Sequence, residues 1–317
     1  MNTLSEIAKI LLKKDNFIII PHRNPDGDCL GSSVALMMAL RDIGKTAYIS
    51  LPNKQSDRLS FLWDDSFATP CDFNCDVCIA VDVAADYMMA GLKEQIFDKA
   101  PVTVCVDHHG TNPCYAQYNY VDADAAACGE IIFSLLLTMK ADITKNIANA
   151  IYSAIVSDTG SFRYSNTTKN TFEIASKLMD FGVENAKIMK ILFETKTMDQ
   201  TKIMSDIISN MEFFFDGKVC ITYCDNDMLQ KYNLCFDDVD EYVGLARTIE
   251  GVEVGAFLKC ISQTETKASL RSNEYADVSQ IAKQLGGGGH IRAAGVTING
   301  DMQTAKQLLL DKFKELF

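Results

Sequence analysis

Apolar positions follow two rhythms in the first half of the chain. Residues 16–20 (NFIII), 46–50, 77–83 and 102–106 are short, nearly uninterrupted apolar runs, the pattern of strands buried on both faces. Between and after them apolar residues recur at helical spacing. They predict helices over 3–13, 31–40, 91–97 (a crossover), 125–139, 144–156 and 169–181. Short strands alternating with helices predict an α/β fold with a parallel sheet. Ligands of such sheets sit beyond the C-terminal ends of the strands. Three polar clusters, starting at His22, Asp82 and Asp107, each follow a predicted strand, so they are expected to meet along one sheet edge.

The rhythm changes after about residue 182. Residues 184–210 read as helical and polar on one face, without Pro or a Gly-Ser tract, which predicts a helical linker. Strand-like runs follow at 212–215, 218–223, 252–259 and 268–271, with helices at 277–284 and 302–315. The expected organisation is a parallel-sheet domain over 1–183, the linker over 184–210 and a smaller α/β domain over 211–317. No fixed-period repeat is visible, and 286–289 is the one low-complexity stretch.

Composition narrows the function. With 317 residues, 48% hydrophobic and 23% charged, the chain is a globular protein rather than a disordered one. The longest apolar run, 131–139, is far short of the roughly 20 residues that span a bilayer. The N-terminus carries scattered charges and no small-residue cleavage site, so a cytoplasmic location is expected. Net charge is −12, from 42 acidic and 30 basic residues, which argues against a coat for long duplex nucleic acid. A short anionic substrate held through metal ions is compatible with it. Eleven cysteines, an odd number, read as reduced thiols. Cys71, Cys75 and Cys78 lack a fourth zinc ligand, because no His lies between Arg23 and Asp107.

The four histidines, His22, His108, His109 and His290, all lie beside Asp, Gly or Arg at the end of an apolar run. The first cluster, PHRNPDGDCLGSS, brings His22, Asp26 and Asp28; taken alone, it also reads as a turn in which Asp28 caps the next helix. Asp82 ends a buried strand, which is unfavourable for a carboxylate unless it is paired or ligated. Asp107-His108-His109 and Ser157-Asp158-Thr159-Gly160-Ser161 complete the set. Imidazoles and carboxylates without a thiolate suit Mn²⁺, Fe²⁺ or Mg²⁺ better than structural zinc. There are ligands enough for two ions, and a metal pair about 3.5–4 Å apart clamps the attacking and leaving oxygens of a phosphoryl displacement.

In order, H-x-N-P-D-G-D, V-D, D-H-H and S-D-T-G resemble the four motifs of the DHH phosphoesterase superfamily, and SLRS, DVSQIA and GGGGHIRAAG resemble the DHH-associated domain of its subfamily 1. The resemblance spans nearly the whole chain. It implies that His22, Asp26 and Asp82 hold one metal and Asp28, Asp82, His108 and Asp158 a second, with Asp82 as the bridge. His109 would lie beside the reacting phosphate, and Asp107 would orient the His pair. Two divalent ions balance the four aspartates. Manganese is the expected metal, with Mg²⁺ or Fe²⁺ as substitutes.

Gly286 to Gly289, then His290 and Arg292, form a second cluster. Glycines let backbone N–H groups approach phosphate, with Gly287, Gly288, Gly289, His290, Arg292, Arg271 and Ser272 as the expected anchor; a plain turn is the other reading. The resemblance implies that this loop faces the metal site across a cleft, which suits a nucleotide with two phosphates or a chain of a few nucleotides. Arg163, after Asp158, is a further candidate for substrate contact. The implied activity is hydrolysis of very short oligoribonucleotides to 5′-mononucleotides and of 3′-phosphoadenosine-5′-phosphate to AMP. The alternative is a linear (pApA) or cyclic dinucleotide phosphodiesterase. A type II inorganic pyrophosphatase would carry a different second domain, and a nucleotide-binding regulator would have no use for a full ligand set. The sequence leaves homodimerisation open.

Overall fold

The computed structural model describes residues 1–53, 55 and 57–317, with only the backbone of His290. The chain divides into two compact units, Met1–Thr195 and Lys196–Phe317.

The first unit runs α1 (Leu4–Lys13), β1 (Phe17–Ile20), α2 (Gly27–Asp42), β2 (Ala47–Ile49), β3 (Val77–Val81), α3 (Leu92–Gln95), β4 (Val102–Asp107), β5 (Tyr118–Val121), α4 (Cys128–Met139), α5 (Lys145–Asp158), α6 (Lys169–Asp180) and α7 (Asn185–Met189). Its five strands are all parallel, in the order β2-β1-β3-β4-β5. Alternate residues of each strand serve opposite faces. Phe17, Ile19, Val77, Ile79, Val104 and Val106 join the large core under α1, α2, α4 and α5. Ile18, Ile20, Cys78, Ala80 and Cys105 face a smaller cluster with Met89 and Phe97. That second face is covered mainly by irregular chain and 3₁₀ turns, so the crossover expected over 91–97 is one α-turn followed by a 3₁₀ turn at Phe97–Lys99.

Strand order reverses between β1 and β3. Chain from β1 leads outward to β2 and returns to β3 on the other side, so the crevice above these two C-terminal ends is where such sheets bind ligands. Helix α2 begins a turn earlier than the hydrophobic spacing predicts. Asp26 is its N-cap, and its side chain accepts the Cys29 N–H at 3.0 Å. Asp28 therefore lies inside the first helical turn and does not cap α2. The glycines of this stretch allow close helix packing: a Cβ on Gly31 would lie 2.5 Å from the Ala150 carbonyl oxygen, and one on Gly27 would lie 2.6 Å from Ser157 Oγ. Helix α2 can thus press its N-terminal half against the C-terminal half of α5.

The second unit runs α8 (Met198–Ser209), β6 (Glu212–Phe214), β7 (Val219–Asp225), α9 (Asn226–Lys231), β8 (Val254–Ser262), β9 (Glu265–Ser272), α10 (Val278–Gln284), β10 (Gly288–His290), β11 (Ala293–Asn299) and α11 (Met302–Phe313). Its sheet is mixed, in the order β10-β11-β9-β8-β7-β6, and β7–β8 is its parallel pair. Residues 184–210 comprise α7, a π-helical turn at Lys190–Glu194 and α8, and the two units divide between Thr195 and Lys196.

Candidate metal centre and its relatives

The parallel register sets the C-terminal ends of β1, β3 and β4 side by side: Ile20 pairs Ala80, and Val81 pairs Val106. One residue past β3, Asp82 adopts a left-handed φ of +59°, and its N–H donates to the Val106 carbonyl at 2.9 Å. The turn sends its side chain into the edge, where it is 2% exposed.

The imidazoles converge on this carboxylate. His22 Nε2 lies 3.9 Å from Asp82 Oδ2 and 4.0 Å from Asp26 Oδ1. His108 Nε2 lies 3.4 Å from Asp82 Oδ1, 3.4 Å from Asp158 Oδ2 and 3.7 Å from Asp28 Oδ2. Its Nδ1 is 3.2 Å from the Ala125 carbonyl, which can only accept, so Nδ1 carries the proton. Its Nε2 faces three carboxylates. His109 stands edge-on to His108, with ring centroids 4.6 Å apart. Its Nδ1 is 2.8 Å from Asp107 Oδ1. Asp107 thus contacts His109 Nδ1, while a backbone carbonyl is the partner of His108 Nδ1.

Asp28 is fully buried and anchors α4. Its Oδ2 accepts the Cys128 N–H at 2.6 Å, and its Oδ1 accepts the Gly129 N–H at 2.9 Å and the Ser32 hydroxyl at 3.0 Å. Asp158 ends α5, whose contact with α2 brings it to His108.

Crowding of carboxylates dominates the electrostatics. Burial, then the charges of Asp28, Asp26, Asp158 and Asp107, pushes the Asp82 carboxyl well above the usual carboxylate range. Burial and the charges of Asp28 and Asp26 do the same to Asp158. Asp28 is pushed up to about 6, chiefly by burial. Burial lowers the His22 imidazole. For His109 burial opposes protonation, but the hydrogen bond and charge of Asp107 outweigh it and raise the imidazole.

These residues fit divalent cations. Asp82 Oδ1 is buried without a hydrogen-bond donor, although a carboxylate oxygen in that position needs one or a cation. His22, Cys29 and Asp82 offer donor atoms within 4.8 Å of one another, as do Asp82, His108 and His109, and Asp28, His108 and Asp158. Cys29 is the member that sequence reasoning left out. Burial, then Asp82 and Asp26, raises its thiol well above the ordinary value. The thiol accepts the His22 N–H at 3.2 Å and reaches the Val81 carbonyl at 3.4 Å, so it acts as a brace for His22. Cys71, Cys75 and Cys78 form no such group among the described residues.

Arg163 Nε donates to the Gly160 carbonyl at 2.6 Å. In the second unit, Ser272 is buried and its hydroxyl donates to the Ala276 carbonyl at 2.7 Å. The Arg292 guanidinium donates to the Ala276 carbonyl at 2.8 Å and to that of Glu274. Both residues therefore brace the 273–277 loop. Arg271 Nη1 donates to the Leu270 carbonyl at 2.9 Å. Across the sheet His290 pairs Ala293, which pairs Arg271, while the His290 side chain lies outside the described residues. A Cβ on Gly287 would lie 2.2 Å from the Gly295 carbonyl oxygen, so close strand approach accounts for that glycine; beside Gly288 the space is open.

Residues 16–155 match the N-terminal domain of the DHH family, and residues 216–317 match the DHHA1 domain. The bifunctional oligoribonuclease and PAP phosphatase NrnA of Thermus thermophilus is 30% identical over 320 residues, covering 99% of this chain and 94% of that protein. The chain belongs to the DHH phosphoesterase family. As a DHH protein it is an enzyme that hydrolyses phosphate esters. NrnA of Bacillus subtilis is 25% identical over 297 residues, covering 93% of each chain. The crystal structure of an exopolyphosphatase-related protein from Bacteroides fragilis shares the DHH fold, with a TM-score of 0.91 at 24% identity, covering 99% of this chain and 96% of that one. Among the described residues no helix is long and apolar enough to cross a membrane.

Proposed function

We propose that this enzyme hydrolyses very short oligoribonucleotides to 5′-mononucleotides and 3′-phosphoadenosine-5′-phosphate to AMP, with two divalent cations, manganese foremost. The observation that carries the reading is the placement of Asp82. One of its oxygens faces His22 and the other faces His108, so a single carboxylate straddles two groups of ligands. The full-length likeness to NrnA supports the choice of substrate.

His22, Asp26 and Asp82 would hold one ion, and Asp28, Asp82, His108 and Asp158 the other. Bound there, the ions supply activation of water and neutralisation of phosphoryl charge. The protein's own part is positioning. The Asp107 carboxylate occupies His109 Nδ1 and favours the charged ring, leaving Nε2–H to meet the phosphate oxygens. In the second unit Arg271, His290 and the backbone around Gly287, Gly288 and Gly289 would anchor a substrate phosphate, with Ser272 and Arg292 shaping the adjoining loop. Arg163 is assigned a flanking contact after Asp158.

The test offers purified protein with Mn²⁺ di- to pentaribonucleotides, 3′-phosphoadenosine-5′-phosphate, pApA and cyclic di-AMP side by side. Release of mononucleotides from the short RNAs and of AMP from the bisphosphate is expected. Turnover confined to pApA or the cyclic dinucleotide would replace this reading with the phosphodiesterase one.

A further inference from the structure

We propose that Asn112 is a positioning residue for the hydrolysis, setting both the Asp107–His109 pair and the turn that carries Asp82. The proposal rests on the roles given above to Asp82 and His109. Asn112 lies in the loop after β4, four residues beyond His108. Its Nδ2 donates to Asp107 Oδ2 at 2.6 Å and to the Val83 carbonyl at 3.1 Å. An amide nitrogen has two hydrogens; the two oxygens are their nearest acceptors, and the Cys105 Sγ, at 3.4 Å, is a third, weaker contact.

The first bond completes the grip on Asp107. One carboxylate oxygen holds His109 Nδ1 and the other holds Asn112, so the carboxylate cannot swing about its last torsion without losing one of them. The second bond acts on Asp82. A non-glycine residue in the left-handed region is uncommon, so the peptides around Asp82 need to be held. On the near side the Asp82 N–H is tied to Val106. On the far side the Val83 carbonyl receives two donors, Asn112 Nδ2 and, at 2.9 Å, the Tyr115 hydroxyl. Asn112 also secures its own loop: its N–H donates to the His109 carbonyl at 3.0 Å, and its Oδ1 accepts the Cys114 N–H at 2.8 Å. One side chain therefore joins the end of β3 to the motif after β4.

The test compares Asn112→Ala and Asn112→Asp in the full chain with Asp82→Ala and His109→Ala, under Mn²⁺. Asn112→Ala should lower kcat by about 10–100-fold, the usual effect of losing a partner that orients a ligand. Its KM should stay within about twofold, as befits a loss felt at the transition state. Bound Mn²⁺, counted by electron paramagnetic resonance, should match the wild type. Asn112→Asp keeps the acceptor for the Cys114 N–H but sets a carboxylate against Asp107, and it should fall further than Asn112→Ala. A residue that merely braced its loop would be rescued by Asp, and that rescue overturns the proposal. So does wild-type kcat in Asn112→Ala while Asp82→Ala and His109→Ala collapse; the metal reading then stands. Wild-type turnover in Asp82→Ala would sink the metal reading instead. In that event the low-field Nδ1–H proton resonance of His109 decides for Asn112. Its loss in Asn112→Ala supports the assignment, and its persistence overturns it.

Discussion

Stripping divalent cations from this enzyme should leave a protein whose stability falls as pH rises, and restoring them should cancel that fall. Asp28 sets the magnitude. Its fully buried carboxyl is pushed up to about 6, above an ordinary value of 3.8. Burial is the largest cause and Asp26 adds to it; His108 and the N–H bonds from Cys128 and Gly129 work against it. Between the two values the folded chain holds a proton that the unfolded chain has released. Stability is therefore greatest below the lower value, declines as pH rises through the upper one, and is flat beyond it. The full difference corresponds to about 3 kcal/mol, and the part between about pH 5 and about pH 8 to roughly 1 kcal/mol. Asp82 and Asp158, raised by the same crowding, act with the same sign. His22, lowered by burial, opposes them where histidine titrates. At 2–4 °C per kcal/mol for a domain of this size, Asp28 alone predicts that Mn²⁺ raises the melting temperature by about 2–4 °C more at the higher pH than at the lower. Scanning calorimetry of chelator-treated protein, with and without Mn²⁺ at each pH, measures the difference, in which carboxylates remote from the site cancel. An equal gain at both values, or a larger gain in acid, would refute the reasoning.

Two further substitutions follow from the same geometry. Asp82→Asn takes one carboxyl out of this crowd and supplies an amide beside His108 Nε2; the chelated variant should melt above chelated wild type, by on the order of 1–3 kcal/mol, while losing turnover and the response to Mn²⁺. A lower melting temperature for the chelated variant counts against a metal-free Asp82 that is short of a donor. Gly31→Ala sets a Cβ 2.5 Å from the Ala150 carbonyl oxygen, so α2 must move off α5. A loss of roughly 1–3 kcal/mol is expected, with weaker Mn²⁺ binding because Asp28 and Asp158 separate; unchanged Mn²⁺ affinity would show that the site tolerates a wider helix spacing.

The parallel sheet was legible because its strands are buried on both faces and read as plain apolar runs. The convergence of His22, Asp82 and His108 was legible because each follows such a run, and parallel strands bring their ends to one edge; Asp158 arrives instead on the end of α5. Other parts left no periodic mark. Strand β5 is a half-buried edge whose Tyr-Asn-Tyr-Val mixes polar and apolar residues. Helix α2 starts inside a Pro-Asp-Gly stretch that has turn chemistry, and its glycines make sense only against α5, more than a hundred residues away. Strand β11 did carry a signal, buried Ala294, Val296 and Ile298 at period two, which the neighbouring glycines obscured. Ser272 and Arg292 have the composition of phosphate ligands but are engaged with backbone carbonyls, a use that residue type alone does not distinguish. Asn112 sits between two motifs, and only coordinates show what its amide touches.

The long sequence span of the centre has a consequence during synthesis. His22, Asp82 and His108 emerge well before α5, and Asp158 is the last residue of that helix. Until α5 leaves the ribosome, α2 has no partner for the groove floored by its glycines, and Asp158 cannot join the other carboxylates. A growing chain thus cannot complete this cluster of carboxylates and imidazoles until the end of α5 has been made.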